Sequence, residues 1–189
     1  MGTRLWNVGI KYVVAILHTI GHSTRTLDGL LSALKAHGIE TLADIRAFPM
    51  SRRLPYFNRE ALEHSLPEHR IRYVWMQALG GYRKATRKDS PHTALRNANF
   101  RNYADYTLTP EFEQAAAALV EIASASRTAY MCAERAHFRC HRMIVSDWMV
   151  ANGHEVFHID AEGPARPHKL FSEARLIDGQ VIYRGDNLF

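Results

Sequence analysis

The stretch Thr128-Ala-Tyr-Met-Cys132-Ala-Glu134-Arg-Ala-His137-Phe-Arg-Cys140-His141-Arg142-Met-Ile-Val-Ser-Asp-Trp148-Met-Val150 decides how the chain is read. Its first five residues are an apolar, β-prone run, and Met143 to Val150 places apolar residues at helical spacing, with Asn152-Gly153 as a stop. Between them, Cys132 to Arg142 holds both cysteines of the chain, two histidines and three arginines. Strand, loop, helix is half of a βαβ unit, and open α/β proteins bind ligands beyond the carboxyl ends of their strands.

The same alternation extends in both directions. Val13–Thr19 reads as a first strand, followed by Ile20-Gly21-His22-Ser23 as a tight turn. Leu27, Leu30, Leu31 and Leu34 follow at helical spacing and Gly38 closes that helix. Thr41–Ile45 is a second strand, broken by Pro49, and Asn58 is a good N-cap for a helix over Arg59–Leu66. Ile71–Trp75 is a third strand, ending before Leu79-Gly80-Gly81. Residues 82–100 are polar and are expected to form a long mobile loop or lid. Thr109-Pro110-Glu111 opens a helix that runs to Ala125. Glu155–Ile159 is a fifth strand, and Asp178-Gly179 within Arg175–Tyr183 predicts a hairpin. The expected fold is α/β: one domain over residues 13–189, with a mostly parallel sheet, helices on both faces and a C-terminal β-hairpin. Residues 1–12 read as an appendage before it.

The chain has 189 residues, 47% of them hydrophobic and 23% charged. These are ordinary values for a domain able to bury its own core. Val13–Leu17 is too short to cross a membrane and too brief for a secretory signal. Two cysteines do not make a disulfide framework, so a reducing, cytoplasmic setting is expected. Formal charge is +5, with 24 Lys and Arg against 19 Asp and Glu. Arginine favours planar, bidentate contact with phosphate or carboxylate. The expected partner is therefore an anionic small molecule or a nucleic acid. A generic solvated basic surface explains the charge as well, and the residues name neither a cofactor nor an oligomeric state.

Four strand ends carry polar groups that a parallel sheet brings to one edge. They are His22 and Ser23; Asp44 and Arg46, with Ser51 and Arg52 beyond; Gly80 and Gly81; and Cys132, Glu134, Cys140, His141 and Arg142. A cysteine becomes a nucleophile when cationic neighbours or a helix N-terminus lower its pKa. On the leading interpretation Cys132 or Cys140 is that thiol, His141 assists it, and Glu134 or Asp44 is the general acid or base. Arg46, Arg52 and Arg142 hold an anion, and His22 and Ser23 line the opposite wall with Gly80 and Gly81. The two cysteines also fit a redox pair. A metal held by Cys132, His137, Cys140 and His141 is a further alternative, although the spacing matches no paired zinc hook. A non-catalytic nucleic-acid-binding module is another, because tyrosines interleave with arginines. Each residue has a plainer explanation too: a buried apolar cysteine, a capping serine, a structural Asp44–Arg46 ion pair.

Thr19-Ile-Gly-His-Ser23, Leu42-Ala-Asp-Ile-Arg-Ala-Phe-Pro49 with Ser51-Arg52, Phe57-Asn58, Leu79-Gly-Gly81, Phe100-Arg-Asn-Tyr-Ala-Asp105 and Cys132-Ala-Glu134 with Cys140-His-Arg142 together resemble the DUF488 family. His168 and the hairpin after it are similar as well. The resemblance implies a compact α/β domain and marks these motif residues as the site; it implies no reaction. Rhodanese-like and cysteine-phosphatase loops place an arginine six positions after the cysteine. Here Phe138 stands at that position and no glycine loosens the loop, so neither activity is carried over.

Overall fold

The strands β1 (Ile16–Gly21), β2 (Thr41–Asp44), β3 (Arg72–Trp75), β4 (Thr128–Cys132), β5 (Glu155–Ile159) and β6 (Arg166–Pro167) form one sheet in the order β3-β2-β4-β1-β5-β6. The first five in that order are parallel and β6 is antiparallel to β5. The computed structural model describes residues 14–160 and 163–185, and the N-terminal appendage expected over residues 1–12 lies outside them. The inner strands β2 and β4 are buried along almost their whole length because both faces of a parallel sheet are covered.

Two apolar layers do the covering. On one face α1 (Leu27–Ala36) and α2 (Arg59–Glu68) bury Leu30, Leu34, Leu62 and Leu66 against Ile20, Leu42, Ala129 and Met131. On the other, α3 (Ala98–Tyr106), α4 (Pro110–Ala125) and α5 (Arg142–Ala151) bury Tyr103, Phe112, Leu119, Ile144 and Met149 against Leu17, Ala43, Tyr130 and Val156. A separate hairpin of β7 (Ala174–Ile177) and β8 (Gln180–Tyr183) joins this second core through Val181 and Tyr183. Its turn residues Asp178 and Gly179 have φ of 51° and 79°. Two successive positive φ values give a two-residue turn the twist of its flanking strands.

The helix starts follow from local chemistry. Thr26 caps α1 by accepting from the Gly29 N–H, Thr109 caps α4 at Phe112, and Asn97 caps α3 at Asn99 and Phe100. The first strand continues past Thr19 to Gly21, because it stays paired with β4 to the end, with Gly21 opposite Cys132.

Residues 82–100 differ from the expected free lid. The hydroxyl of Ser90 donates to Asp105, the backbone N–H of Tyr183 donates to the buried ring of His92, and the Ala94 N–H donates to the Tyr183 carbonyl. The polar sequence concealed these anchors, and with them α3, whose polar residues flank the buried Tyr103 and Ala104.

β1 and β4 lie side by side, yet the helices that follow them leave to opposite faces. The crevice of an open α/β sheet forms at such a switch point. The residues placed there are Gly21, His22 and Cys132.

Candidate functional site

Cys132 ends β4 on the same face of the strand as Tyr130, since side chains alternate along a strand. The turn Ala133–Arg139 then brings Cys140 and His141 back beside it at the start of α5. His141 Nε2–H donates to the Ile45 carbonyl at 3.1 Å. That bond leaves Nδ1 as the lone-pair nitrogen. Nδ1 lies 3.5 Å from the Cys140 sulfur and 3.9 Å from that of Cys132, and the three groups lie within 4.8 Å of one another. Tyr103 packs its ring on His141 at 5.0 Å, and a Cβ on Gly81 would overlap the imidazole. Only glycine permits this approach. Cys140 is only 5% exposed, whereas Cys132 is partly open.

The pair titrates unequally. A hydrogen bond from Cys132 lowers the Cys140 thiol well below its usual range, helped by His141 and Arg142 against the opposing effect of burial. The same hydrogen bond, followed by burial, pushes Cys132 up. Cys140 is therefore the more readily ionised of the two sulfurs, and Cys132 the one that keeps its proton.

The other predicted site residues are placed as follows. His22 donates through Nδ1–H to the Ser23 carbonyl at 3.0 Å and accepts from Arg46 at Nε2, 3.3 Å away. Burial, then the Arg46 charge, lowers its pKa to about 4. Ser23 sits at φ 51° and donates its backbone N–H to the Ala133 carbonyl. Asp44 is fully buried and its carboxylate is occupied: it accepts from the Arg46 backbone N–H, from Arg46 Nε and Nη2, and from the Tyr73 hydroxyl. Arg46 also donates from Nη2 to the Phe57 carbonyl and from Nη1 to His22. The Asp44–Arg46 pair thus has the geometry of a structural ion pair, with its carboxylate engaged within the protein. Gly80 is a close-approach position, where a Cβ would stand 2.7 Å from the Ala47 backbone. Ser51 Oγ accepts from the Leu54 N–H, and Arg52 is exposed; neither joins the sulfur cluster.

One expectation is corrected. His137 does not stand with Cys132, Cys140 and His141 as a metal ligand. It belongs to a second group with His158 and His168, because the short helical turn His137–Arg139 swings it toward β5. Arg142, 1% exposed, gives its Nη nitrogens to the protein itself, while the residue also lines the cavity described below. It donates to the carbonyls of Glu134 and Arg135 and to Thr19 Oγ1, pinning the loop against β1. A Cβ on Gly21 would overlap the Glu134 carbonyl, so that pin requires glycine too.

The second group borders a cavity of about 580 Å³ lined by Glu134, Arg135, His137, Arg142, His158, Asp160, Arg166 and Lys169 among others. Within the group, His158 Nε2 and His168 Nδ1 are 2.9 Å apart, and His168 Nε2–H donates to buried Asp147 at 2.8 Å. Glu134 and Arg142 are the predicted site residues that line this cavity, and the Glu134 carboxylate accepts from the Ala136 N–H. His158, Asp160, Arg166, Lys169 and Asp147 were not in the predicted set. His158 and Asp160 close the fifth strand, so the strand-end rule applied to β5 finds them. Asp147 carried no signal, since it sits within an apolar-periodic helix.

Among the described residues no helix is long and apolar enough to cross a membrane. No curated protein and no solved structure matches the chain. The family model described as "Domain of unknown function DUF488" matches residues 26–149, more than half of the chain, and the chain belongs to that family. The matched range includes the Cys132–Arg142 loop and leaves out His22, His158 and His168.

Proposed function

We propose that this DUF488-family chain is a cysteine-dependent enzyme acting on an anionic substrate. The observation that carries the proposal is the placing of Cys132 and Cys140 beside the lone-pair Nδ1 of His141, with Cys140 the more acidic of the two thiols. A thiolate is the nucleophilic form of cysteine; such a nitrogen takes the thiol proton, and the imidazolium so formed and a neighbouring guanidinium stabilise the thiolate. The partly open Cys132 is the sulfur that meets substrate when its proton moves to Cys140. Glu134 is the carboxylate placed to exchange protons with a group in the adjacent cavity. The cationic lining of that cavity supports an anionic substrate.

The ultraviolet absorbance of thiolate between about pH 4 and 9 tests the proposal without needing the substrate. The expected result is one thiolate per chain persisting below the ordinary cysteine range, lost in Cys132→Ser and in Cys140→Ser alike. Two thiols titrating in the ordinary range overturn it.

A second proposal rests on one specific feature. Metal-ligating histidines characteristically donate their other N–H to a carbonyl or carboxylate, as His141 Nε2 does to Ile45. Cys132, Cys140 and His141 then form a Cys2His set with a fourth position open, suited to zinc. In the same titration, a thiolate signal that a chelator releases and zinc restores selects this alternative. A non-catalytic nucleic-acid-binding module predicts two inert thiols and salt-steep binding to DNA or RNA.

A further inference from the structure

The cavity beside β5 differs from its surroundings in charge, in shape and in its unsatisfied atoms. Its lining includes Arg135, Arg142, Arg166 and Lys169 against Glu134 and Asp160, four cations to two acids. Asp160 is already shared: Arg135 Nε lies 3.0 Å from its carboxylate, and Arg25 and Arg166 each lie 3.9 Å away. The volume of about 580 Å³ is enough for a small molecule. Clefts of this size are where small ligands bind.

Two buried atoms of the lining residues have no hydrogen-bond partner: the Nε–H of Arg142 and the Nδ1 of His158, residues 1% and 7% exposed. The character of His158 Nδ1 follows from its neighbours. Asp147 accepts from the Phe171 N–H, the Tyr183 hydroxyl and His168 Nε2–H, so His168 presents a lone pair at Nδ1. That lone pair takes the Nε2–H of His158, and Nδ1 of His158 is left as an acceptor. The wall thus pairs an unfilled donor on a cation with an unfilled acceptor on a neutral ring. Leaving either buried and unpaired is destabilising.

We propose that this cavity binds a small oxyanion that also carries an O–H, as a protonated phosphoryl group does. Arg135, Arg166 and Lys169 receive its charge, Arg142 Nε–H donates to it, and His158 Nδ1 accepts from its hydroxyl. The cavity is then the anion-collecting part of the site proposed above, but the assignment needs no reactive thiol. A divalent metal on His137, His158 and His168 is the competing use. The rings of His137 and His158 stack face to face at 3.6 Å and 15°. Their lone pairs therefore do not converge, and the cationic lining opposes a further cation.

The test titrates inorganic phosphate, and separately sulfate, into the full chain and follows the histidine imidazole NMR signals together with Tm. Phosphate carries an O–H near neutral pH and sulfate does not. The expected result is that phosphate shifts the His158 and His137 signals and that sulfate binds about tenfold more weakly or worse. His158→Phe keeps an aromatic ring in the stack and removes this preference. Arg166→Ala combined with Lys169→Ala, both at exposed positions, lowers phosphate affinity about tenfold or more with Tm unchanged in its absence. Cys132→Ser binds phosphate as the parent does, which separates this site from the thiol chemistry. Absence of any phosphate-induced shift, or equal affinity for both anions in the parent, overturns the proposal. So does a zinc titration that moves all three imidazoles where phosphate moves none, which assigns the cluster to a metal.

Discussion

Two clusters on one face of the sheet both contain histidine and put it to different ends. In the first, Cys132, Cys140 and His141 are packed under Tyr103 and Gly81. In the second, His137, His158 and His168 border an open cavity rimmed by cations. Arg142 is a charged neighbour of both. After the hydrogen bond from Cys132, its charge helps to lower the thiol of Cys140, and after burial it helps to lower the rings of His137 and His158. An imidazole's partner decides what it does: a backbone carbonyl fixes the tautomer of His141, and the carboxylate of Asp147 fixes that of His168.

The largest expected effect comes from breaking the support of the first cluster alone. Asp44→Ala leaves the Arg46 guanidinium buried without its carboxylate. Loss of one partner of a buried ion pair costs about 3–5 kcal/mol, read by urea denaturation. The Ile45 carbonyl that holds His141 lies between those two residues, so the thiolate signal is expected to fall while phosphate binding in the folded fraction persists.

Acid acts on two buried rings next. Burial is the first cause lowering His22 to about 4 and His158 to about 3, from 6.5. Both rings are held neutral in the fold and protonate more readily when the chain unfolds. Their contribution is therefore complete above about pH 6.5 and declines as pH falls toward about 4, on the order of a few kcal/mol. Denaturation midpoints across that range should show the loss, and His158→Phe should reduce its slope. A slope unchanged in that variant removes His158 from the account.

Gly81→Ala places a methyl group against the His141 ring. Overpacking of this kind is expected to cost about 1–3 kcal/mol. Its sharper reading is spectroscopic: the low-pH thiolate absorbance should disappear while the phosphate-induced imidazole shifts remain. If both signals vanish, the two clusters act as one site. The smallest effect on stability is expected from Arg166→Ala, since Arg166 is an exposed rim residue. Such a surface substitution should change stability by no more than about 0.5 kcal/mol. Any larger change in urea denaturation makes Arg166 a structural group.

The sulfur cluster was legible because its three members lie close together in sequence and at the end of an obvious strand. Its neighbours Gly81 and Asp44 were flagged by the same strand-end logic, although their roles are close approach and ion pairing. The imidazole cluster was not legible. His137, His158 and His168 come from a turn, a strand end and a segment after the sheet, and Asp147 looked like one polar residue in an amphipathic helix. The polar run 82–100 misled for the converse reason: composition suggested mobility, while His92 is anchored by a hairpin near the far end of the chain.

Apolar periodicity, N-cap residues and turn dipeptides act over a few residues, so the sequence by itself determined, among the described residues, the five parallel strands, four of the five α-helices and the C-terminal hairpin. It also determined that polar groups would collect along one sheet edge, because a parallel sheet aligns its carboxyl ends. Only the tertiary structure decided which of those groups face one another and which nitrogen of each ring is free. Those outcomes depend on hydrogen-bond partners and burial supplied by elements distant in sequence, such as Ile45 for His141 and Asp147 for His168.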